Sequence, residues 1–182
     1  MLEVGGEKVR LMILGLLTKR ESLSGYEIQQ ALNMVQSKKW AEVFPASIYH
    51  ALKKMENENF IQVKAIEMTG KRSKTIYCIT EKGSQEFKRL LKESFQKTSV
   101  MFPKHLYTAL TFLSEEESMR EEVLEALEEQ KSEIRSTYEE MREGERLKDN
   151  APVYVKLIFE NMYEQCEMQL RFIHRLEKLL KN

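Results

Sequence analysis

The sequence contains little of what an enzyme, a metalloprotein or a secreted protein requires. It has only two cysteines, Cys78 and Cys166, and neither belongs to a CxxC pair or a Cys/His metal-binding spacing. We therefore expect a cytoplasmic, reduced protein without a metal site. The three histidines are dispersed, and no nucleophile elbow, phosphate loop or metalloenzyme motif occurs. We expect neither an enzyme nor a bound cofactor.

Long apolar runs are also missing. No run approaches the ~20 residues that a membrane-spanning helix needs, so we expect no membrane partner. The first ten residues, MLEVGGEKVR, lack the apolar segment and the cleavage site of a signal peptide. A chain of 182 residues has room for one ordinary domain or two small ones.

Net charge is zero overall but not locally. Residues 1–95 contain 16 basic and 11 acidic side chains, a net charge of +5, whereas residues 96–182 contain 13 basic and 18 acidic ones, a net charge of −5. This asymmetry indicates a basic half that binds a negatively charged partner and an acidic half with another task.

Residues 44–83 have the clearest pattern in the chain: FPASIYHALKKMENENFIQVKAIEMTGKRSKTIYCITEKG. Ile48, Leu52 and Met55 follow helical spacings of four and three, which places them on one face of a helix. Pro45 suits the first turn of that helix, where a missing N–H costs nothing. The opposite face is polar and basic, with one aromatic ring, and consists of Ser47, Tyr49, His50, Lys53 and Lys54.

Two strand-like runs follow this helix, at residues 61–68 and 75–80, and both contain β-branched and aromatic residues. Asn59 tolerates the left-handed backbone that closes a helix, so we expect the helix to end there. The TGKRSK segment between the runs predicts a turn. Three basic residues lie at its tip: Lys71, Arg72 and Lys74. A helix with a basic outer face followed by a hairpin with a basic tip is typical of a recognition helix and a wing.

These residues resemble the PadR family of bacterial transcriptional regulators, in particular its longer members with an extended helical C-terminal region. Four segments carry the resemblance in the family's order: ILGLL at 13–17, LSGYEI at 23–28, SIYHALKKM at 47–55 and IYCITEKG at 76–83. They cover about the first half of the chain. Asn59 stands where the family usually has glycine, and it keeps the turn chemistry. The resemblance implies a dimeric transcriptional repressor, often relieved by a small aromatic effector such as a phenolic acid.

Two further helices precede the recognition helix. Apolar residues dominate positions 8–18, which predicts a core helix, and the Ser24-x-x-Glu27 spacing is that of a capping box that opens a helix ending near Met34. We interpret the following segment, VQSKKWAEVF, as a loop that holds the only tryptophan, Trp40. The fold class is therefore mainly α with a small β-hairpin: an N-terminal winged helix-turn-helix and a C-terminal helical dimerisation domain.

We place the domain boundary after residue 98. Residues 1–98 form the winged-helix DNA-binding domain, including a linker helix from Thr80, and residues 99–182 form the helical dimerisation domain. In the second domain a short helix is predicted at about 104–113. A second capping box at 114–117 opens a long helix to about Gly144, and Pro152 begins the last helix.

The last two helices carry apolar stripes wider than a two-helix layer can cover. We therefore expect a homodimer, which the family resemblance also implies; alternatively, both helices fold over the winged-helix core. The stripe assigned to dimerisation consists of Tyr154, Ile158, Met162, Cys166, Ile173, Leu176 and Leu180.

The basic elements define candidate contacts to double-stranded DNA. We expect Ser47, Tyr49, His50 and Lys53 to face the major groove, with Lys54 nearer the backbone. The wing residues Lys71, Arg72 and Lys74 should follow an adjacent groove or its phosphates. Ser24 and Tyr26 are candidates for a phosphate anchor at the N-terminus of the second helix. A two-fold dimer would read half-sites about 10 bp, or a multiple, apart.

Several alternatives stay open at this point. Tyr49 could pack inside the protein instead of contacting DNA, and Trp40 could pack between elements instead of contacting a ligand. The effector suggested by the family would contact Trp40, His105, Tyr107 and Phe112. The winged helix could instead be a protein-interaction module without specific DNA binding, or a constitutive activator without a ligand. Salt-sensitive binding to duplex DNA separates the first of these alternatives from a DNA-binding regulator.

Overall fold

The computed structural model describes residues 3–35, 37–69, 72–96, 100–113, 119–146 and 151–181. These residues form eight helices and three strands, a mainly helical fold with a small antiparallel sheet, as the sequence predicted. The elements are α1 (Glu3–Lys19), β1 (Leu23–Ser24), α2 (Gly25–Met34), α3 (Ser37–Ala41), α4 (Pro45–Asn57), β2 (Ile61–Thr69), β3 (Arg72–Ile79), α5 (Glu81–Gln96), α6 (Lys104–Phe112), α7 (Arg120–Arg146) and α8 (Val153–Lys181). The chain divides into two units, Met1–Ser99 and Val100–Asn182, each with its own apolar core.

Helix α1 forms the centre of the N-terminal unit and packs against α4 and α5. It is apolar on most sides and buries Val9, Ile13, Leu14 and Leu17. Each such side chain contributes about 1.5–3 kcal/mol when it leaves water. The helix begins at Glu3, five residues before the predicted start, because its polar, glycine-containing first turn carries no hydrophobic pattern.

The predicted capping box at the start of α2 is confirmed. Ser24 Oγ accepts a hydrogen bond from Glu27 N at 3.3 Å, and Glu27 Oε2 accepts one from Ser24 N at 2.8 Å. Each side chain therefore satisfies a backbone N–H that the helix leaves without an intrahelical partner.

The segment between α2 and α4 was predicted as a loop, and this prediction is wrong. Residues 37–41 form the short helix α3, and Trp40 Nε1 donates a hydrogen bond to Val35 O at 2.8 Å. Glu42 then adopts a left-handed φ of 56°, just after the helix ends. A helix of this length offers too few apolar positions for its period to be recognised.

Helix α4 buries its three predicted core residues. Its C-terminus closes through a Schellman motif, in which Phe60 N donates to Met55 O at 2.9 Å and Asn59 N donates to Glu56 O at 3.0 Å. Asn59 has a φ of 59°, which confirms the predicted left-handed residue.

Strands β2 and β3 form the predicted antiparallel hairpin. The pairing runs from Ile61 opposite Ile79 to Thr69 opposite Arg72, so the strands extend further toward the turn than the sequence indicated. On its other side β3 pairs with the two-residue strand β1, which gives the sheet the order β1-β3-β2. Strand β1 was not predicted, because two residues cannot show an alternating pattern.

The extended hairpin corrects the position of one wing residue. Lys74 lies inside β3, opposite Glu67, rather than at the tip of the turn. Arg72 is the first residue of β3. Lys71 lies outside the described residues, as do the predicted capping box at 114–117 and the end of the linker helix beyond residue 96.

The C-terminal unit consists of α6, α7 and α8. Helices α7 and α8 are antiparallel, since Lys131 pairs with Glu177 at 2.5 Å and Glu145 accepts a hydrogen bond from the Tyr163 hydroxyl at 2.6 Å. The core centres on Leu127, Ile173 and Leu176. Five partly buried side chains surround these three: Leu106, Leu110, Val123, Ile134 and Leu180. Helix α6 thus forms a third layer over one end of the α7–α8 pair.

Each of the described helices is too short or too polar to cross a membrane. Within the same residues there is no group of three His, Cys, Asp or Glu side chains arranged to hold a metal ion.

Candidate nucleic-acid interface

The outward face of α4 presents a continuous polar and aromatic surface. Tyr49, His50, Lys53 and Lys54 are exposed, while the opposite face is anchored in the core. The helix is therefore fixed by burial on one side and free to contact a partner on the other. Lys54 Nζ lies 4.0 Å from Glu58 Oε1, so part of its charge is balanced inside the helix end.

Tyr49 has two roles that the sequence could not separate. Its side chain is half exposed, yet its ring lies against the N-terminus of α2: a Cβ added at Gly25 would be 2.9 Å from Tyr49 Cε1 and 3.2 Å from Leu52 Cδ1. Gly25 thus allows α2 and α4 to approach closely. The tyrosine ring packs at this junction and still presents an exposed surface.

Two predicted serine contacts are engaged inside the protein. Ser47 Oγ donates to Phe44 O at 2.6 Å and accepts from Phe44 N at 3.1 Å, so it stabilises the first turn of α4. Ser24 is only 2% exposed, and its hydroxyl donates to Glu27 Oε2 at 2.6 Å. The hydroxyl of Ser24 is thus occupied by the capping box, and its part in a phosphate anchor stays a prediction. Its neighbour Tyr26 remains exposed.

The described lysines of the wing form ion pairs with α2 and with the segment between α1 and β1. Lys74 Nζ lies 3.3 Å from Glu27 Oε1, and Lys64 Nζ lies 3.1 Å from Glu21 Oε1. Hydrogen bonds from the Ser24 side chain and backbone, and then the nearby Lys74 ammonium, lower the pKa of Glu27, so it remains ionised at neutral pH. These pairs were not foreseen, since their partners are more than 40 residues apart in sequence.

The C-terminal end of α4 is fixed by Arg10 of α1. Its guanidinium donates to Glu58 Oε2 at 2.6 Å and to Glu86 Oε1 at 3.1 Å, and it lies 5.0 Å from the centre of the Phe60 ring. Hydrogen bonds from Arg89 and then Arg10 lower the pKa of Glu86. This bridge joins α1, the end of α4 and α5, and the sequence carried no signal for it.

The apolar stripe of α8 is divided between two environments. Ile173 and Leu176 are buried inside the single chain, so they are not available to a partner. Leu180, Met162 and Cys166 are partly buried. Tyr154 and Ile158 are exposed, together with two neighbours that the prediction omitted, Val153 at 78% and Leu157 at 63% exposure. Of the residues predicted to dimerise, the exposed ones thus lie in the N-terminal half of α8, and their part in a dimer stays a prediction.

The four candidate effector residues are divided between the two units. Trp40 belongs to the N-terminal unit, whereas His105, Tyr107 and Phe112 belong to α6 in the C-terminal unit. Tyr107 packs edge-on against Phe172, with ring centres 5.9 Å apart, and Phe112 is exposed. His105 is also exposed.

An open groove between α7 and α8 was missed by sequence reasoning. It has a volume of about 260 Å³ and is lined by Glu133, Ile134, Thr137, Gln165, Cys166 and Gln169. The heptad-like stripe marked Cys166 as an apolar position but could not indicate that the space beside it is unfilled. None of the four candidate effector residues lines this groove.

Comparisons with known proteins agree with this geometry. Residues 13–89 match the family model described as Transcriptional regulator PadR-like family. The fold is similar to that of Bacillus subtilis PadR in complex with operator DNA, with a TM-score of 0.73, 21% identity and coverage of 94% of this chain and 98% of that chain. It is also similar to the PadR-like regulator BC1756 from Bacillus cereus, with a TM-score of 0.68, 20% identity and 94% coverage of each chain.

A third similar structure is Bacillus subtilis PadR in complex with p-coumaric acid, with a TM-score of 0.67, 21% identity and coverage of 96% of this chain and 99% of that chain. No curated protein matches the sequence significantly. The matched residues extend from α1 through α4 and the β2–β3 hairpin into α5, and this part of the chain is similar to the PadR-like family of transcriptional regulators.

Proposed function

We propose that this chain is a sequence-specific transcriptional repressor that binds a pseudo-palindromic operator as a homodimer. The observation that carries the proposal is the outward face of α4, where Tyr49, His50 and Lys53 are exposed on a helix anchored by its opposite face. Such a helix fits the major groove, and its donors can distinguish base edges there. The family match and the likeness to a regulator bound to operator DNA support this assignment.

The two units would divide the work. Residues 1–98 would bind DNA, with Lys54, Lys71, Arg72 and Lys74 directed toward phosphates, and Tyr26 beside the N-terminus of α2. Phosphate contacts of this kind provide most of the affinity and make it depend on salt. The base-facing side chains of α4 would then provide sequence specificity.

Residues 99–182 would dimerise. Val153, Tyr154, Leu157 and Ile158 lie within two turns of α8, and all four are exposed. A contiguous apolar surface of this kind is uncommon on a protein that stays monomeric and marks an interaction site. A second copy of the same surface is the simplest partner, because a two-fold axis would also place two recognition helices for an inverted repeat.

The repressor would be released by a small aromatic molecule. The support comes from the relative crystallised with p-coumaric acid and from the packed aromatic rings Phe102, Tyr107 and Phe172 in the C-terminal unit. The effector would favour a dimer whose recognition helices are wrongly spaced for the operator, which is a shift between two populations.

Selection of bound duplexes from a random DNA pool tests the proposal. Recovery of an inverted repeat with half-sites about one helical turn, or a multiple, apart is the expected result. If retention follows salt alone and no motif emerges, the winged helix is better regarded as a protein-interaction module. If the selection does recover an operator, that duplex also serves to screen hydroxycinnamic acids for release of the protein.

Two single substitutions on the selected operator sharpen this test. Lys53→Ala on the outward face of α4 should weaken operator binding about tenfold and reduce discrimination between sequences, since a good base contact is worth about 1–3 kcal/mol. Lys92→Ala removes an equal charge from the exposed surface of α5 and should leave discrimination unchanged. Equal effects of the two variants would contradict the role assigned to α4.

A further inference from the structure

The ion pair between Glu27 and Lys74 joins the wing to the helix-turn-helix. Lys74 Nζ lies 3.3 Å from Glu27 Oε1, and the two side chains are 37% and 43% exposed. Strand β3, which carries Lys74, pairs with β1 through Ser24 and Ile76. Ser24 is also the N-cap residue of α2, so the backbone itself brings the lysine beside the first turn of that helix.

The two partners differ in how firmly they are held. Glu27 Oε2 accepts hydrogen bonds from Ser24 N at 2.8 Å and from Ser24 Oγ at 2.6 Å, so the carboxylate is fixed by the capping box. Lys74 reaches it through a flexible four-carbon side chain. The lysine can therefore leave the pair without unfolding anything, whereas the carboxylate cannot.

The position of this pair has an electrostatic consequence for DNA binding. Glu27 is adjacent to Tyr26, the exposed residue at the N-terminus of α2 that is a candidate neighbour of a phosphate. A fixed negative charge there opposes the approach of the phosphate backbone, and it also balances the positive charge of Lys74. Both effects reduce the affinity that the wing would otherwise provide.

We propose that Glu27 limits the affinity of the protein for DNA by competing with phosphate for Lys74. This inference rests on the proposed function and adds a specific control to it. Lys74 exchanges its carboxylate for a phosphate when DNA binds, so it adds little to sequence-independent affinity. Because affinity for DNA of any sequence is kept low, the contacts from α4 to bases account for a larger share of the affinity for the operator.

The competing interpretation is that the pair only holds the wing in place. The two interpretations predict opposite effects of Glu27→Gln. The amide oxygen of glutamine can still accept the hydrogen bond from Ser24 N, so the capping geometry survives while the charge is lost. If the pair is a structural clamp, the variant should bind DNA more weakly; if Glu27 competes with phosphate, the variant should bind more tightly.

The experiment measures binding of the full-length protein to a fluorescent 30-base-pair duplex of mixed sequence as a function of salt. Glu27→Gln should bind about two- to fivefold more tightly at low salt, as expected for release of one exposed ion pair. Its plot of log affinity against log salt should be steeper by about one, because the phosphate contact of Lys74 is no longer offset by a freed Glu27 carboxylate that takes up a cation from solution. Thermal unfolding of each variant checks that the fold is retained.

Glu81→Gln is the matched control, because Glu81 is also an acidic residue in the first turn of a helix, α5, and the substitution changes the net charge equally. It should leave the salt dependence unchanged. Lys74→Gln completes the comparison: it should weaken binding more in the Glu27→Gln background than in the wild-type protein.

Tighter binding by Glu27→Gln alone, with a steeper salt dependence that Lys74→Gln reverses, would support the proposal. Unchanged or weaker binding by Glu27→Gln, while the wild-type protein binds the duplex, would overturn it and leave the proposed function standing. Absence of salt-dependent binding in every variant, including the wild type, would overturn both together.

Discussion

Replacing Gly83 by alanine should destabilise the N-terminal unit, although alanine is the better helix former. Gly83 lies in the first turn of α5, directly beside the backbone at the end of the Schellman motif. An added Cβ would be 1.9 Å from Phe60 O and 2.9 Å from Ile79 Cγ1. The first distance is far below van der Waals contact, and a backbone carbonyl cannot move aside as a side chain can.

The carbonyl of Phe60 is held by Thr80, the residue that precedes α5. Thr80 N donates to Phe60 O at 3.1 Å, and Thr80 Oγ1 lies 2.8 Å from Asn59 O and accepts from Gly83 N at 3.0 Å. Relieving the clash would separate α5 from the α4–β2 connection and break about two of these hydrogen bonds, at about 1 kcal/mol each.

The opposing contributions can be compared. Overpacking adds about 1–3 kcal/mol to the hydrogen bonds lost, whereas the helix propensity of alanine returns about 1 kcal/mol. We therefore expect the free energy of unfolding to fall by about 2–4 kcal/mol, a large share of the 5–15 kcal/mol typical of a folded domain.

Denaturant unfolding followed by tryptophan fluorescence measures this change in the relevant unit, because Trp40 is the only tryptophan and belongs to that unit. Gly6→Ala in α1 is the control, since a Cβ there would meet no atom within 4 Å; it should change stability by at most about 1 kcal/mol. A Gly83→Ala protein as stable as the wild type would refute the close approach of α5 to Phe60.

Three further predictions concern the capping box, the buried ion pairs and the apolar surface of α8. Ser24→Ala should cost about 1 kcal/mol in denaturant unfolding, whereas Ser22→Ala should cost less than about 0.5 kcal/mol; equal costs would contradict the cap. The pKa of Glu86 is lowered in the folded state, so its contribution to stability is complete above about pH 4.5 and is lost as the pH falls through the lowered pKa. Glu86→Gln should therefore flatten the acid side of a plot of melting temperature against pH, and an unchanged acid side would exclude this role. Leu157→Glu should weaken the proposed dimer more than tenfold in sedimentation experiments, and Leu179→Glu, also exposed but at the other end of α8, should not; a dimer that tolerates Leu157→Glu would place the interface elsewhere.

The sequence predicted the elements whose signals are local. The helical spacing of Ile48, Leu52 and Met55, the cap at Ser24 and the left-handed Asn59 each depend on fewer than ten consecutive residues, and all three agree with the structure. Helix α3 and strand β1 were missed because they are too short for a repeating pattern of apolar residues to be recognised. The hairpin was predicted, but its two strands pair further toward the turn than the sequence indicated, as far as Thr69 opposite Arg72.

The candidate site could be predicted only in part, because residue type does not reveal partners that are distant in sequence. Lys74 has the same charge in a turn tip as in a strand, and only the fold brings it to Glu27. Ser24 is polar, which suggested a ligand contact, yet its hydroxyl is used by the cap and buried. The bridge from Arg10 to Glu58 and Glu86 spans 48 and 76 positions, so no local pattern could indicate it.

The apolar stripe of α8 shows the limit of a periodic pattern most clearly. Ile158 and Ile173 both belong to it, yet the first is half exposed and the second is fully buried. Within the described residues of the C-terminal unit, Leu106 and Leu110 of α6 pack at the C-terminal end of α8, whereas Tyr163 in the N-terminal half of α8 contacts Glu145 of α7. A layer two helices thick cannot enclose a wide stripe. The uncovered end of α8 therefore lacks the third layer that α6 supplies elsewhere, and we propose that a second copy of the chain supplies it.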